Sequence, residues 1–208
     1  MRTIAFACAV LSLAILVLAT IAGGLAYPGY DHLGQYISEL GATGAPTGRA
    51  VSYAFIASGL LLAAFWLLCV RLFPRSRLAT LGFGLSALNG LGLMFGGIFP
   101  CDFECSLTNA SSAAILHDVL GGIGYLCGLL GLVLVGLAAR NWPGGRNLFH
   151  LAIVCGAPAA GALWLINPAF EWYGAAQRVL EIALAVWALG VALTVRRPLV
   201  ASAPAVTP

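Results

Sequence analysis

Four residues among His, Asp, Glu and Arg lie a helical turn or more inside apolar runs: His117 and Asp118 within residues 113–139, and Arg178 and Glu181 within residues 173–195. Charge in hydrocarbon is expensive, so each such residue marks a pathway, a site or a buried pair. Gln177 and Glu181 are spaced i,i+4 and share one helix face, while Arg178 and Glu181 are spaced i,i+3, which permits an ion pair along the same helix. His117 and Asp118 are adjacent. Successive side chains on a helix point about 100° apart, so one of the two lines an interior while the other bonds a neighbouring helix or a loop. His117, Asp118 and Glu181 are the candidate catalytic groups for acid–base work. The same residues, with Gln177 and Arg178, also suit a polar binding site in which the guanidinium meets an anion. The plain alternative is a structural salt bridge, because pairing is the cheapest way to hide an arginine and a carboxylate together.

The connections between apolar runs add Asp31, His32 and Glu39 after the first run and Asp102 after the third. Asp31, His32, Glu39, Asp102, His117, Asp118, Gln177, Arg178 and Glu181 therefore form the expected ligand-binding set. Cys101 and Cys105 bracket Asp102-Phe103-Glu104. In an oxidising compartment a disulfide closing that short loop is expected. A metal site on this pair would need two further ligands, such as His32 or His117, and the spacing matches no standard zinc pattern, so no metal is assigned. Cys8, Cys69, Cys127 and Cys155 lie in apolar runs and read as small packing residues. Gly121-Gly122-Ile123-Gly124 superficially resembles a dinucleotide fingerprint, but no strand precedes it and it lies within an apolar run. No cofactor follows from these residues.

These groups are positioned by six apolar runs, at residues 4–26, 50–72, 79–99, 113–139, 148–166 and 173–195, each about the 20 residues that cross a hydrocarbon core. The chain has 208 residues, is 61% hydrophobic and 8% charged, and contains no lysine. Such a composition cannot solvate a soluble surface. The expected fold is therefore an all-α integral membrane bundle of six transmembrane helices, one domain over residues 1–197, with a disordered cytoplasmic tail at 198–208. Arg2, Arg71, Arg75, Arg77, Arg140, Arg146, Arg196 and Arg197 fall at alternate ends of the runs, and all seven carboxylates fall toward the other side. Arginine-rich ends face the cytoplasm. Both termini are thus expected inside a cell membrane, with Asp118 and Glu181 about 8–13 Å below the outer surface at the helical rise. The net charge of +3 is then arginine at the inner leaflet. It gives no reason to expect nucleic acid, and the lipid bilayer is the partner the composition requires.

The first run could instead be a cleaved secretory signal, since Gly24-Leu25-Ala26 offers small residues, but it is longer than a typical signal core and a retained anchor is expected. Residues 27–49 mix aromatics, acids, a histidine and glycines, with Tyr36, Ile37 and Leu40 on one helical face, and predict a short interfacial or re-entrant helix. Pro158 predicts a kink in the fifth helix.

Four segments carry a resemblance: YPGYDHLGQYISELGATGAP after the first run, FPCDFEC after the third, LHDVLGGIGY opening the fourth and QRVLE opening the sixth. In that order they resemble the multi-pass membrane family catalogued as domain of unknown function 998. The resemblance covers nearly the whole chain and implies a small helical membrane protein, chiefly prokaryotic, with no activity to carry over. Three functional classes stay open. The first is an outward-facing polar pocket for a lipid headgroup or small polar solute. The second is an intramembrane hydrolase acting on a lipid, loosely similar to the multi-pass ceramidase and progestin-receptor-like proteins but without their paired histidines on the last helix. The third is a structural or accessory membrane protein whose polar cluster only staples loops to helices.

Overall fold

The computed structural model describes residues 1–196; the tail expected to be disordered lies outside them. Six helices follow one another: α1 (Arg2–Ala26), α2 (Gly48–Leu72), α3 (Arg77–Ile98), α4 (Ser112–Ala139), α5 (Arg146–Leu165) and α6 (Tyr173–Arg196). All six are long and apolar enough to cross a membrane, and the chain is a multi-pass membrane protein. Every helix end falls within two residues of the run expected for it. The boundaries are sharp because the turn chemistry is local. Ser76 and Ser111 each accept the backbone N–H three residues on, at 3.1 Å, as N-caps of α3 and α4. Pro158 does not interrupt α5, which runs through it from Arg146 to Leu165.

Each helix packs on its neighbours in sequence, and α1 also packs on α6, so the six close a ring. Two kinds of contact hold it. Glycines let backbones meet: a Cβ on Gly92 would lie 2.8 Å from Gly124 Cα, and one on Gly59 would strike Met94 N and Gly90 O. Polar pairs lock depth. Ser12 Oγ donates to the Ser58 carbonyl at 2.9 Å and Ser58 Oγ to the Ser12 carbonyl at 3.0 Å, which fixes α1 against α2 in the interior.

The ends of the bundle differ in charge. The 27–47, 99–111 and 166–172 connections carry Asp31, Glu39, Asp102, Glu104 and Glu171 on one end, whereas Arg71, Arg75, Arg77, Arg140, Arg146 and Arg196 gather at the other. At the basic end the ring is filled. Phe65, Trp66, Phe83, Phe73 and Trp142 meet in that order, with ring centroids 4.5–6.1 Å apart between successive partners, and they belong to the main buried cluster. At the acidic end a smaller cluster of Ile37, Leu40, Val51 and Phe55 closes the top.

Candidate functional site

The first acidic-end connection builds its own shape. Asp31 accepts the backbone N–H groups of Leu33 (2.9 Å) and Gly34 (3.0 Å). Glu39 accepts the Tyr36 N–H (2.9 Å) and the Gln35 side-chain amide (2.7 Å). The segment then forms a five-residue 3-10 turn, Ile37–Gly41, with Ile37, Glu39, Leu40 and Gly41 buried. It is a plug packed on α1, α2 and α6. Burial pushes the Glu39 carboxyl up, against the two hydrogen bonds that lower it. Burial foremost, with Tyr173, Asp118 and Glu39 nearby, pushes the Tyr36 phenol up to about 12.

Arg178 of α6 fastens this plug. Its guanidinium donates to the Gln35 carbonyl (2.9 Å), the Gly174 carbonyl (2.9 Å), the Tyr30 hydroxyl (2.6 Å) and His32 Nδ1 (3.2 Å). It also lies 5.5 Å from the Tyr30 ring centroid. The intrahelical pair with Glu181 that the spacing permits is not formed. The second connection is shaped similarly: Asp102 accepts the Ser111 N–H at 2.7 Å, a disulfide joins Cys101 to Cys105, and Thr43 N–H donates to the Cys101 carbonyl at 2.8 Å. Asp31, His32, Glu39, Asp102 and Arg178 thus act on loops. None of them lines the cavity described next.

Between the filled basic end and the plug lies a cavity of about 370 Å³ to which all six helices contribute. His117, Asp118, Gln177 and Glu181 line it, with Tyr36, Tyr125, Ser12, Ser86, Asn89, Trp66 and Trp187. Its remaining wall is largely leucine and glycine. A hydrogen-bonded chain descends along α6: Ile37 N–H donates to Gln177 Oε1 (2.6 Å), Gln177 Nε2 to the Tyr125 hydroxyl (3.0 Å), and that hydroxyl to Glu181 Oε1 (2.7 Å). Tyr125 had no place in the sequence-derived set. The signal was present, since it follows His117 by eight residues and Asp118 by seven, two helical turns down one face.

His117 Nδ1 lies 2.9 Å from the Phe99 carbonyl and 3.2 Å from that of Gly96, so it donates to the open C-terminal carbonyls of α3. In the neutral ring that bond leaves Nε2 as the acceptor nitrogen. No serine, threonine or cysteine bonds this histidine among the described residues, so no hydroxyl or thiol nucleophile is paired with it. Among the described residues Asp118 makes no hydrogen bond or ion pair. The Trp187 indole N–H is buried without a partner, on a side chain 1% exposed. Buried donors are rarely orphaned in folded proteins. No group of three or more His, Cys, Asp or Glu is placed to hold a metal ion among the described residues.

No curated protein and no solved structure matches the chain. The family model described as "Protein of unknown function (DUF998)" matches residues 10–194, which is most of the chain, and the protein belongs to that family.

Proposed function

We propose that the acidic end faces outward and that the protein binds a small ligand with a polar head and an apolar body in its central cavity. The observation that carries this reading is a cavity built by all six helices whose wall holds an orphaned indole N–H, that of Trp187, and an unengaged carboxylate, that of Asp118. A purely structural bundle gains nothing from the orphaned indole, because leaving a buried donor unpaired costs about 1–3 kcal/mol. The polar groups that only brace the fold are already consumed by the loops. A mostly apolar wall with a few convergent polar atoms is the usual make-up of a ligand site.

The test uses Gly122, which lines the cavity and has open space where a side chain would stand. Gly122→Phe sends a ring into the space from a Cβ that meets nothing within 4 Å, and removing a mid-helix glycine does not weaken α4. Native mass spectrometry of protein purified in a mild maltoside detergent should show a co-purified small molecule on the wild type and none on Gly122→Phe. The same occupancy on both proteins, or on neither, refutes the reading.

A further inference from the structure

We infer that the ligand is a cationic amphiphile, with an ammonium-type head held by Asp118 and Glu181 and a chain that runs down to Trp187; this rests on the cavity being a ligand site. Three observations lead there.

The first is the sign of charge. Asp118 and Glu181 are the carboxylates of the cavity wall, and none of the arginines lines it. The cation nearest in sequence, Arg178, is held by Tyr30, His32 and two backbone carbonyls. A carboxylate in a low-dielectric wall needs a proton or a positive partner. His117 is the one titratable nitrogen on that wall, and its Nδ1 is spent on the carbonyls of Phe99 and Gly96; Asp118 makes no hydrogen bond or ion pair among the described residues, and Glu181 has one neutral donor, the Tyr125 hydroxyl. Tyr36 and Tyr125 add ring faces of the sort that favour ammonium groups.

The second is the opening. In the basic half α4 and α5 are in close contact: a Cβ on Gly156 would lie 3.1 Å from Leu132, and one on Gly136 would strike Ala152. Toward the acidic end these helices present glycines to open space. Side chains on Gly121 and Gly122 of α4, or on Gly161 of α5, would meet nothing within 4 Å. Gly121, Gly122 and Asp118 all line the cavity there, beside Leu163, Ile166 and Pro168. The flanking surface of α4 is apolar and outward, with Ile115, Val119 and Ile123 each at least 50% exposed. A gap at this depth opens to lipid, and its entrant is a molecule already dissolved in the bilayer.

The third is depth. Trp187 lies six residues beyond Glu181 on α6, about 9 Å further down the axis. An alkyl chain of about ten carbons bridges from the carboxylates to the floor, and the orphaned indole N–H there donates to an oxygen on that chain.

The experiment titrates the full-length protein in maltoside micelles with decyltrimethylammonium and, separately, with uncharged decyl glucoside, reading one-to-one adducts by native mass spectrometry. The wild type should take the cation at least about tenfold more tightly than the uncharged probe, which corresponds to 1.4 kcal/mol. In Asp118→Asn that preference should fall by about tenfold, with the affinity for decyl glucoside unchanged. Asp118 is unbonded and exposed at the mouth, so this variant folds, and Glu181→Gln supplies a second reading within the wall. Equal affinities for the two probes, or a preference that survives both substitutions, overturn the cationic assignment. If the probes then still disappear from Gly122→Phe, the cavity remains a ligand site of other chemistry. Failure of both probes to bind the wild type overturns both readings.

Discussion

Arg178 and Glu181 stand three residues apart on α6 yet serve different halves of the molecule. The guanidinium reaches across to the 30–36 loop, and the carboxylate accepts the Tyr125 hydroxyl of α4. Neither is the other's counter-ion. The two should therefore be energetically independent, which an ion pair would not be.

Arg178→Gln removes donors from Gln35, Gly174, Tyr30 and His32 together. The expected loss is about 1.5–3 kcal/mol, the range for hydrogen bonds made by a charged group. Arg178→Lys should recover little of it, because a single ammonium cannot reproduce the planar fork. Thermal unfolding in detergent measures both variants. The double variant Arg178→Gln/Glu181→Gln should be additive within about 0.5 kcal/mol, and a larger coupling would restore the ion-pair reading.

Tyr125→Phe should cost about 1–3 kcal/mol, since it takes the hydroxyl from between Gln177 and Glu181 and leaves a carboxyl oxygen inside the bundle without its donor. Adding Glu181→Leu to that variant should return part of the loss, because a hydrocarbon wall needs no partner. If the single substitution leaves the unfolding temperature unchanged, the chain from Ile37 to Glu181 does not brace the fold.

Glycines separate into two kinds with opposite expected outcomes. Gly59 faces Gly90 and Met94 backbone at contact, so Gly59→Val should destabilise by about 1–3 kcal/mol or more, as overpacking does. Gly122 faces open space, so Gly122→Ala should be neutral or stabilise by up to about 1 kcal/mol through helix propensity. Folded yield by size-exclusion chromatography and unfolding temperature report both.

What the sequence made legible follows from how local each cause is. The spans were readable because hydrocarbon imposes a length on every one of them. The split between acidic and basic ends was readable because it is a property of the connections. The partners of Arg178 were not, since Tyr30, His32 and Gln35 lie more than 140 residues upstream and no periodicity within α6 points to them. The helix expected in residues 27–49 shrinks to a 3-10 turn, because Gly41 and Gly44, the latter at φ +84°, together with Pro46 end it after one turn. His117 looked like a catalytic group, and the structure spends its Nδ1 on the end of α3. The polar lining of the cavity was partly legible in His117, Asp118, Gln177 and Glu181, but its shape was not, because it is a space left by the packing of all six helices and no single residue encodes it.

Glu39 predicts a pH dependence of known sign. Its folded pKa is raised above the ordinary 4.5 because it is buried, so the folded state binds more protons than the unfolded state between 4.5 and the raised value. The stability it contributes is present below 4.5 and is lost as pH rises through the folded value. Glu39→Gln keeps an acceptor for Gln35 and the Tyr36 N–H but cannot titrate. Its unfolding temperature should therefore fall less than that of the wild type across this window. Parallel curves for the two proteins would show that the Glu39 carboxyl has the same affinity for protons folded and unfolded.

The orientation on which the outward pocket depends rests on arginine. Cytoplasmic connections carry an excess of Lys and Arg, and in this chain Arg71, Arg75, Arg77, Arg140 and Arg146 share one end. Thr108 and Asn141 are exposed in connections at opposite ends. In intact cells a membrane-impermeant maleimide should label Thr108→Cys, and it should label Asn141→Cys only after permeabilisation. The endogenous free cysteines Cys69 and Cys155 are buried and Cys8 and Cys127 lie within helices, so the background is low. The reverse pattern would place the carboxylates on the cytoplasmic side. The cavity would then draw on the inner leaflet, with its geometry unchanged and its source of ligand reversed.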